Sequence, residues 1–225
     1  MITGVSYGPG LATGRGFRWS AATGMQSLGV LGTGSQSVGN AISADGLVIV
    51  GGSYTSGFTG HTVTRWTAAT GMRSLNLPND SAFGLSADGL TITGAGYANG
   101  FSPALYWTAA GGRRLLSVPP GADTGTGFAA SANGSVIAGY VSDGATAGTF
   151  SHAFLWTGLG AGGAGGTQDL GALDGSTETT AWALSADGSV AGGSSTLPGA
   201  GAPSFGAPPS GWWTLTAIFP RSARI

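Results

Sequence analysis

Large apolar residues recur two apart along the chain, and the small runs that carry them recur as well. Phe17 and Trp19 flank Arg18, Leu105 and Trp107 flank Tyr106, and Phe154 and Trp156 flank Leu155. Thr64 and Trp66 around Arg65 form a weaker copy. A period of two with a large aromatic on one face predicts a half-buried strand. Apolar and small residues also run into a Gly at Ile2–Gly4, Val48–Gly51, Thr91–Gly94, Val136–Gly139 and Val190–Gly192. No window sustains the i, i+3, i+4, i+7 spacing of an amphipathic helix.

Between these runs stands a repeated tetrapeptide. Ser-Ala-Asp-Gly occupies Ser43–Gly46, Ser86–Gly89 and Ser185–Gly188, and Ser131-Ala132-Asn133-Gly134 is its variant. The four starts are 43, 45 and 54 residues apart, and Trp19, Trp66, Trp107 and Trp156 follow at spacings of 47, 41 and 49. Such a period identifies a repeat architecture. The clearest unit predicts strands at Val38–Ser43, Leu47–Gly52, Thr62–Thr67 and Met72–Asn76. Ala-Asp-Gly suits a type I turn followed by a left-handed Gly, a bulged hairpin. Ala-Ala-Thr-Gly at Ala21–Gly24 and Ala68–Gly71 joins the third strand to the fourth.

A four-stranded antiparallel meander with this period is the pattern of a β-propeller blade. We therefore expect an all-β, propeller-like array of about four to five blades, some incomplete, with the Trp and Phe of the third strand in the inter-blade core. A β-solenoid would have shorter, less hairpin-like repeats. Residues 1–31 supply the second to fourth strands of a first unit, three whole units follow to about residue 171, and residues 179–195 begin a fifth. The repeat domain thus spans 1–195, and 196–225 is a degenerate repeat or tail. Either the strand at Thr180–Ser185 completes the first unit, giving four blades, or five partial blades form. The second is favoured, because Trp213-Thr214 offers Val190–Gly193 a third strand. Starting mid-repeat and ending in a decayed one is expected of a fragment of a longer array.

Ser151-His152-Ala153-Phe154-Leu155-Trp156-Thr157 is followed by Asp169-Leu170-Gly171, then by Ala183–Gly188 and the Val190 strand. The same order of motifs runs from Phe17-Arg18-Trp19 through Gly24–Gly29 and Ala41–Gly46 to Val48–Gly52. This resembles the bacterial HAF-repeat family of extracellular repeat proteins, over roughly residues 1–195. Only one copy carries the full His-Ala-Phe triplet. The resemblance implies a secreted or cell-surface protein and carries no agreed biochemical activity. Residues 1–6 have no basic n-region or long apolar run and do not read as a secretory signal.

Composition changes the picture by exclusion. Charged residues make up 8% of the 225, all eight basic ones are Arg, and the net charge is −1. That gives no electrostatic footprint for nucleic acid. No apolar stretch approaches the ~20 residues of a spanning helix, so no membrane insertion is expected. Without cysteine there is no disulfide scaffold or thiolate metal site. Gly numbers 45, and Gly158–Gly166 reads as a flexible insertion. Low charge and positive mean hydropathy predict poor solubility for an isolated fragment.

The candidate chemistry is thin. His61 and His152 stand five and four residues before a Trp, nearly the same place in two repeats, which fits a structural role. Asp45, Asp88 and Asp187 read as turn residues, since Asn133 replaces them in the fourth copy and calcium wants several carboxylates close together. One Glu, Glu178, and the scattered Asp80, Asp123, Asp143, Asp169 and Asp174 make a poor acid/base inventory. We expect no enzyme activity, no cofactor and no metal. The expected function is a binding or scaffold module for an unidentified glycan or protein. The alternatives are a purely structural passenger or spacer, and then a propeller enzyme acting on polysaccharide. In a meander, loops between the second and third strands and between units share one face. They vary in length, as binding loops on a rigid scaffold do. Tyr7, Tyr54 and Tyr97 each open such a loop three residues after Gly4, Gly51 and Gly94. They are the candidate ligand-facing residues; the fourth copy has Ser142 there.

Overall fold

The structure is a computed structural model that describes residues 1–8, 13–55, 60–144, 150–158, 166–176 and 178–196. The repeated motifs fall on strands and on the turns between them. The first unit contains β1 (Ile2–Tyr7), β2 (Gly14–Ser20) and β3 (Gly24–Ser27). The second holds β4 (Gln36–Ile42), β5 (Val48–Tyr54), β6 (His61–Thr67) and β7 (Gly71–Pro78). The third holds β8 (Ser81–Leu85), β9 (Thr91–Ala95), β10 (Ala104–Thr108) and β11 (Gly112–Leu115). The fourth holds β12 (Thr124–Ala130), β13 (Val136–Ser142), β14 (Ser151–Thr157) and β15 (Gly166–Asp169). Then come β16 (Glu178–Leu184) and β17 (Ala191–Thr196). Within each unit, consecutive strands pair antiparallel. β16 pairs with β17, not with β1, and its one ladder bridge to the fourth unit is the parallel pair Ser151 and Glu178. The Gly-rich insertion and the Trp213 segment lie outside the described residues, apart from the ends of the former.

The Ser-Ala-Asp-Gly turn is closed by its own side chains. Ser43 Oγ donates to Asp45 Oδ1 at 2.6 Å, the Leu47 amide donates to the same oxygen at 2.8 Å, and the Val48 amide donates to Ser43 Oγ at 3.0 Å. The Ser86, Ser131 and Ser185 copies repeat the arrangement. Gly46 sits at φ 72°, which an L side chain rarely adopts. Successive turns are also bonded to one another. The Ala44 amide donates to Ala87 O, the Asp88 amide to Ala132 O, and the Ala132 amide to Ala186 O. This row fixes the pitch between units.

The Gly that ends the strand motif at 51, 94 and 139 is required by backbone contact; in the fifth copy the equivalent residue is Gly193, one past the expected Gly192. Every first strand is bulged: the register slips between Gly39 and Ala41, Ala82 and Gly84, Gly127 and Ala129, and Ala181 and Ala183. The slip brings a carbonyl against the neighbouring second strand. A Cβ on Gly51, Gly94, Gly139 or Gly193 would lie 2.0, 1.8, 1.8 or 1.9 Å from that oxygen. Gly4 faces no first strand in its own unit and meets only the Phe17 ring, at 3.0 Å.

Hydrophobic burial joins the units. Val48, Val50 and Val63 of the second unit pack with Ala82 and Ile92 of the third. Ala104 and Leu116 of the third pack with Ile137, Phe154 and Trp156 of the fourth. Ala138, Ala153 and Leu155 of the fourth pack with Ala181 and Ala191. Each fully buried Ile, Leu or Phe contributes ~1.5–3 kcal/mol. The expected role of the third-strand aromatics holds where a preceding unit exists to cover them. Phe154 and Trp156 are buried and Trp107 is partly buried against its neighbour. Trp19 is 38% exposed, and Ile2, at the position of the buried Ile49, Ile92 and Ile137, is 54% exposed, since among the described residues no unit covers that side of the first.

Candidate functional site

The bulges put one extra residue on each first strand, and these strands touch one another from unit to unit. The extra residues are Asn40, Phe83, Phe128 and Trp182, each three positions before the Ser of its turn. They form a continuous file. Phe83 and Phe128 meet edge-on at 5.6 Å between centroids, and Phe128 and Trp182 at 4.6 Å with a 33° tilt. Tyr140 joins Phe128 at 5.9 Å. Trp182 Nε1 donates to Ser194 Oγ at 3.0 Å, and Asn40 Nδ2 donates to Ala82 O at 2.7 Å. Phe83 is 38% exposed and Trp182 44%. Rings left open to water on a rigid frame offer flat apolar faces to a ligand, and such exposed patches mark interaction sites.

A small cleft runs from this file toward the variable loops. It is bounded by Asn40, Phe83, Tyr54, His61, Asp80 and Ser81 and encloses about 40 Å³, room for water rather than a sugar ring. Tyr54 stacks on His61 at 5.4 Å and 21°, and His61 Nε2 lies 3.3 Å from Ser81 Oγ. Burial, with a smaller push from the charge of Tyr7, raises the Tyr54 hydroxyl above its ordinary range. Asp80 is buried; it accepts two bonds from Arg113, at 2.6 and 3.0 Å, and one from the Tyr97 amide at 2.9 Å.

The three tyrosines therefore differ. Tyr54 covers the end of its own sheet through His61. Tyr97, 56% exposed, lies just past β9, its backbone fixed by Asp80 and Arg113. Tyr7, 51% exposed, borders a shallow depression with Arg15, Phe17 and Met25 on the open face of the first unit. No ring contact joins them to one another among the described residues.

The remaining candidates divide between turns and local pairs. Serine and amide donors hold Asp45 below the usual carboxylate range, and those around Asp187 lower it to about 2. Ser185 donates the largest share at Asp187, followed by the Ser189 amide and hydroxyl. His152 Nδ1 lies 3.0 Å from Asp169 Oδ2. His152 stands two residues before Phe154, which opposes Gly139, whereas His61 stands three before Thr64, which opposes Gly51. This one-residue offset turns the two imidazoles to opposite faces of their sheets. Among the described residues no three His, Asp or Glu side chains gather as a metal cluster.

The sequence reading missed the file. Its signal was present: the position three before each turn Ser reads Asn, Phe, Phe and Trp. The strand alternation concealed it, because a bulge breaks the period of two.

Fold and site together define an all-β repeat protein of stacked antiparallel sheets with an exposed aromatic file. No family model and no curated protein matches the chain. Solved structures share its fold, among them two TolB proteins. TolB from Acinetobacter baumannii aligns with a TM-score of 0.60 at 13% identity, covering 88% of this chain and 47% of that one. A putative TolB from Agrobacterium tumefaciens aligns with a TM-score of 0.57 at 14% identity, covering 88% and 71%. The chain thus spans about half the length of the Acinetobacter protein.

Proposed function

We propose that the chain is a propeller-like array of four-stranded blades acting as a non-enzymatic binding module, secreted or at the bacterial cell surface, for a glycan or protein ligand. The blade reading is supported by the TolB likeness, TolB having a β-propeller domain. The array then comprises five successive blades, the first described as β1, β2 and β3 and the fifth as β16 and β17. The location rests on the resemblance to HAF repeats. One observation carries the binding role: Phe83, Phe128 and Trp182 form a file of rings across three units, two of them well exposed. Tyr7 and Tyr97 extend the aromatic surface toward the variable loops. The row of bonds between turns favours a second reading, a stiff spacer.

A glycan array and a panel of surface-protein fragments, probed with the purified chain, separate the two. The binding reading expects a ligand whose affinity falls at least tenfold in the Phe83→Ala, Trp182→Ala double variant with its circular dichroism unchanged. The Tyr7→Ala, Tyr54→Ala, Tyr97→Ala triple variant tests the loop side independently. Undiminished affinity in both variants, or no ligand at all, overturns it in favour of the spacer.

A further inference from the structure

We infer that Arg65 and Arg73 form an anion-binding site on β6 and β7, separate from the aromatic file, whose ligand is an acidic polysaccharide. The two residues stand directly opposite one another across the ladder. Opposed residues share a face with their Cβ atoms ~4.5–5.5 Å apart, and like charges so placed destabilise a sheet. The same pair reads Arg18 and Gln26 in the first unit, Tyr106 and Arg114 in the third, and Leu155 and Gln168 in the fourth. The second unit is the one that doubles the charge. No neighbour relieves it. Among the described residues neither guanidinium has a hydrogen-bond or ion-pair partner; the ion pairs there are Arg113 with Asp80 and His152 with Asp169.

The pair lies on the side of its sheet that meets the third unit. Val63, two residues before Arg65 and therefore on its face, packs with Ala82 and Ile92 of that unit. The carboxylate that begins the third unit, Asp80, is already engaged by Arg113 and the Tyr97 amide. Arg65 is half-buried and Arg73 exposed, so an anion reaches both from the solvent. All eight basic residues of the chain are Arg, whose planar fork binds an oxyanion through two parallel bonds. The next unit argues for a polymer over a lone ion. Arg114, exposed and likewise without a partner among the described residues, holds in β11 the position that Arg73 holds in β7. Three open cations spread over two units suit a chain with sparse oxyanions, as an acidic polysaccharide has. Duplex DNA carries a charge every ~1.7 Å and takes a denser basic surface.

Polygalacturonate, dextran sulfate, neutral dextran and a single-stranded oligonucleotide, titrated against the full chain at low ionic strength, test the site. The acidic polysaccharides are expected to bind, more weakly as salt rises, and neutral dextran is not. The Arg65→Gln, Arg73→Gln double variant should lose affinity roughly tenfold or more, since it removes both charged forks. Gln already stands opposite Arg18 and Leu155, so the fold is expected to hold, with a thermal midpoint at or above the parent's once the repulsion is gone. Tighter binding of polygalacturonate or of dextran sulfate identifies the oxyanion as carboxylate or sulfate, and either supports the site. No binding of either polymer, undiminished binding in the double variant, or a preference for the oligonucleotide overturns it. The Phe83→Ala, Trp182→Ala variant should bind the acidic polymers as the parent does; a loss there instead would place them on the aromatic file and overturn the inference.

Discussion

Gly139→Ala puts the bulge argument at risk in a single methyl group. The new Cβ would lie 1.8 Å from the Thr126 carbonyl oxygen and 2.8 Å from its carbon. Carbon and oxygen touch at ~3.3 Å, so one must retreat by about 1.5 Å. Neither is a flexible side-chain end: both belong to paired backbone, and Gly139 lies between the buried Ala138 and the half-buried Tyr140, paired with β12 and β14. Overpacking a tight interior costs ~1–3 kcal/mol, and a clash with fixed backbone belongs at the top of that range. For a domain of this size ~3 kcal/mol lowers the thermal midpoint by roughly 6–12 °C. Urea and thermal unfolding, followed by circular dichroism, measure it. Gly192→Ala is the control, since nothing lies within 4 Å of its Cβ position. Relief of chain entropy predicts no loss there, and a gain of up to about 1 kcal/mol. A Gly139→Ala midpoint within a degree or two of the parent would refute the bulge as the reason for glycine at 51, 94, 139 and 193.

Two further changes test the polar framework. Asp80→Ala removes both Arg113 bonds and the acceptor of the Tyr97 amide. Because Arg113 is partly solvated, the loss is about 2–3 kcal/mol, less than for a fully buried pair, and it should shift the urea midpoint. The folded chain holds the Asp187 carboxyl at about 2 against an ordinary 3.8. Its contribution is therefore complete above pH ~4 and lost as pH falls toward 2. Asp187→Asn should flatten that acid limb of the stability profile while leaving stability at neutral pH nearly unchanged, as Asn133 accepts the same bonds in its own turn.

Much of the scaffold was legible because it is repetitive. The strands, the left-handed turn glycines and the meander order all followed from spacing. Two features were not. The bonds from Ala44 to Ala87 and from Ala132 to Ala186 join turns 43 and 54 residues apart, and no local pattern announces them. Trp19 carries the same motif as Trp156, yet one is exposed and the other buried; the difference lies in whether a unit precedes it. Tyr97 likewise looks equivalent to Tyr54, but Asp80 and Arg113 fix its backbone while His61 stacks on Tyr54.

The bulge explains why a repetitive scaffold can carry a non-repetitive surface. It drives a carbonyl toward the second strand, which leaves room for glycine alone at 51, 94, 139 and 193. The same slip leaves Asn40, Phe83, Phe128 and Trp182 without a register partner. One position is thus fixed by backbone contact while the bulged residue across from it is released from the strand register. The fixed position reads Gly in all four units; the released one reads Asn, Phe, Phe and Trp. The released side chains still meet across the junctions, Asn40 on Ala82 O, Phe83 on Phe128 and Phe128 on Trp182, so a change of recognition there alters inter-unit contacts but not the strand pairing of either unit.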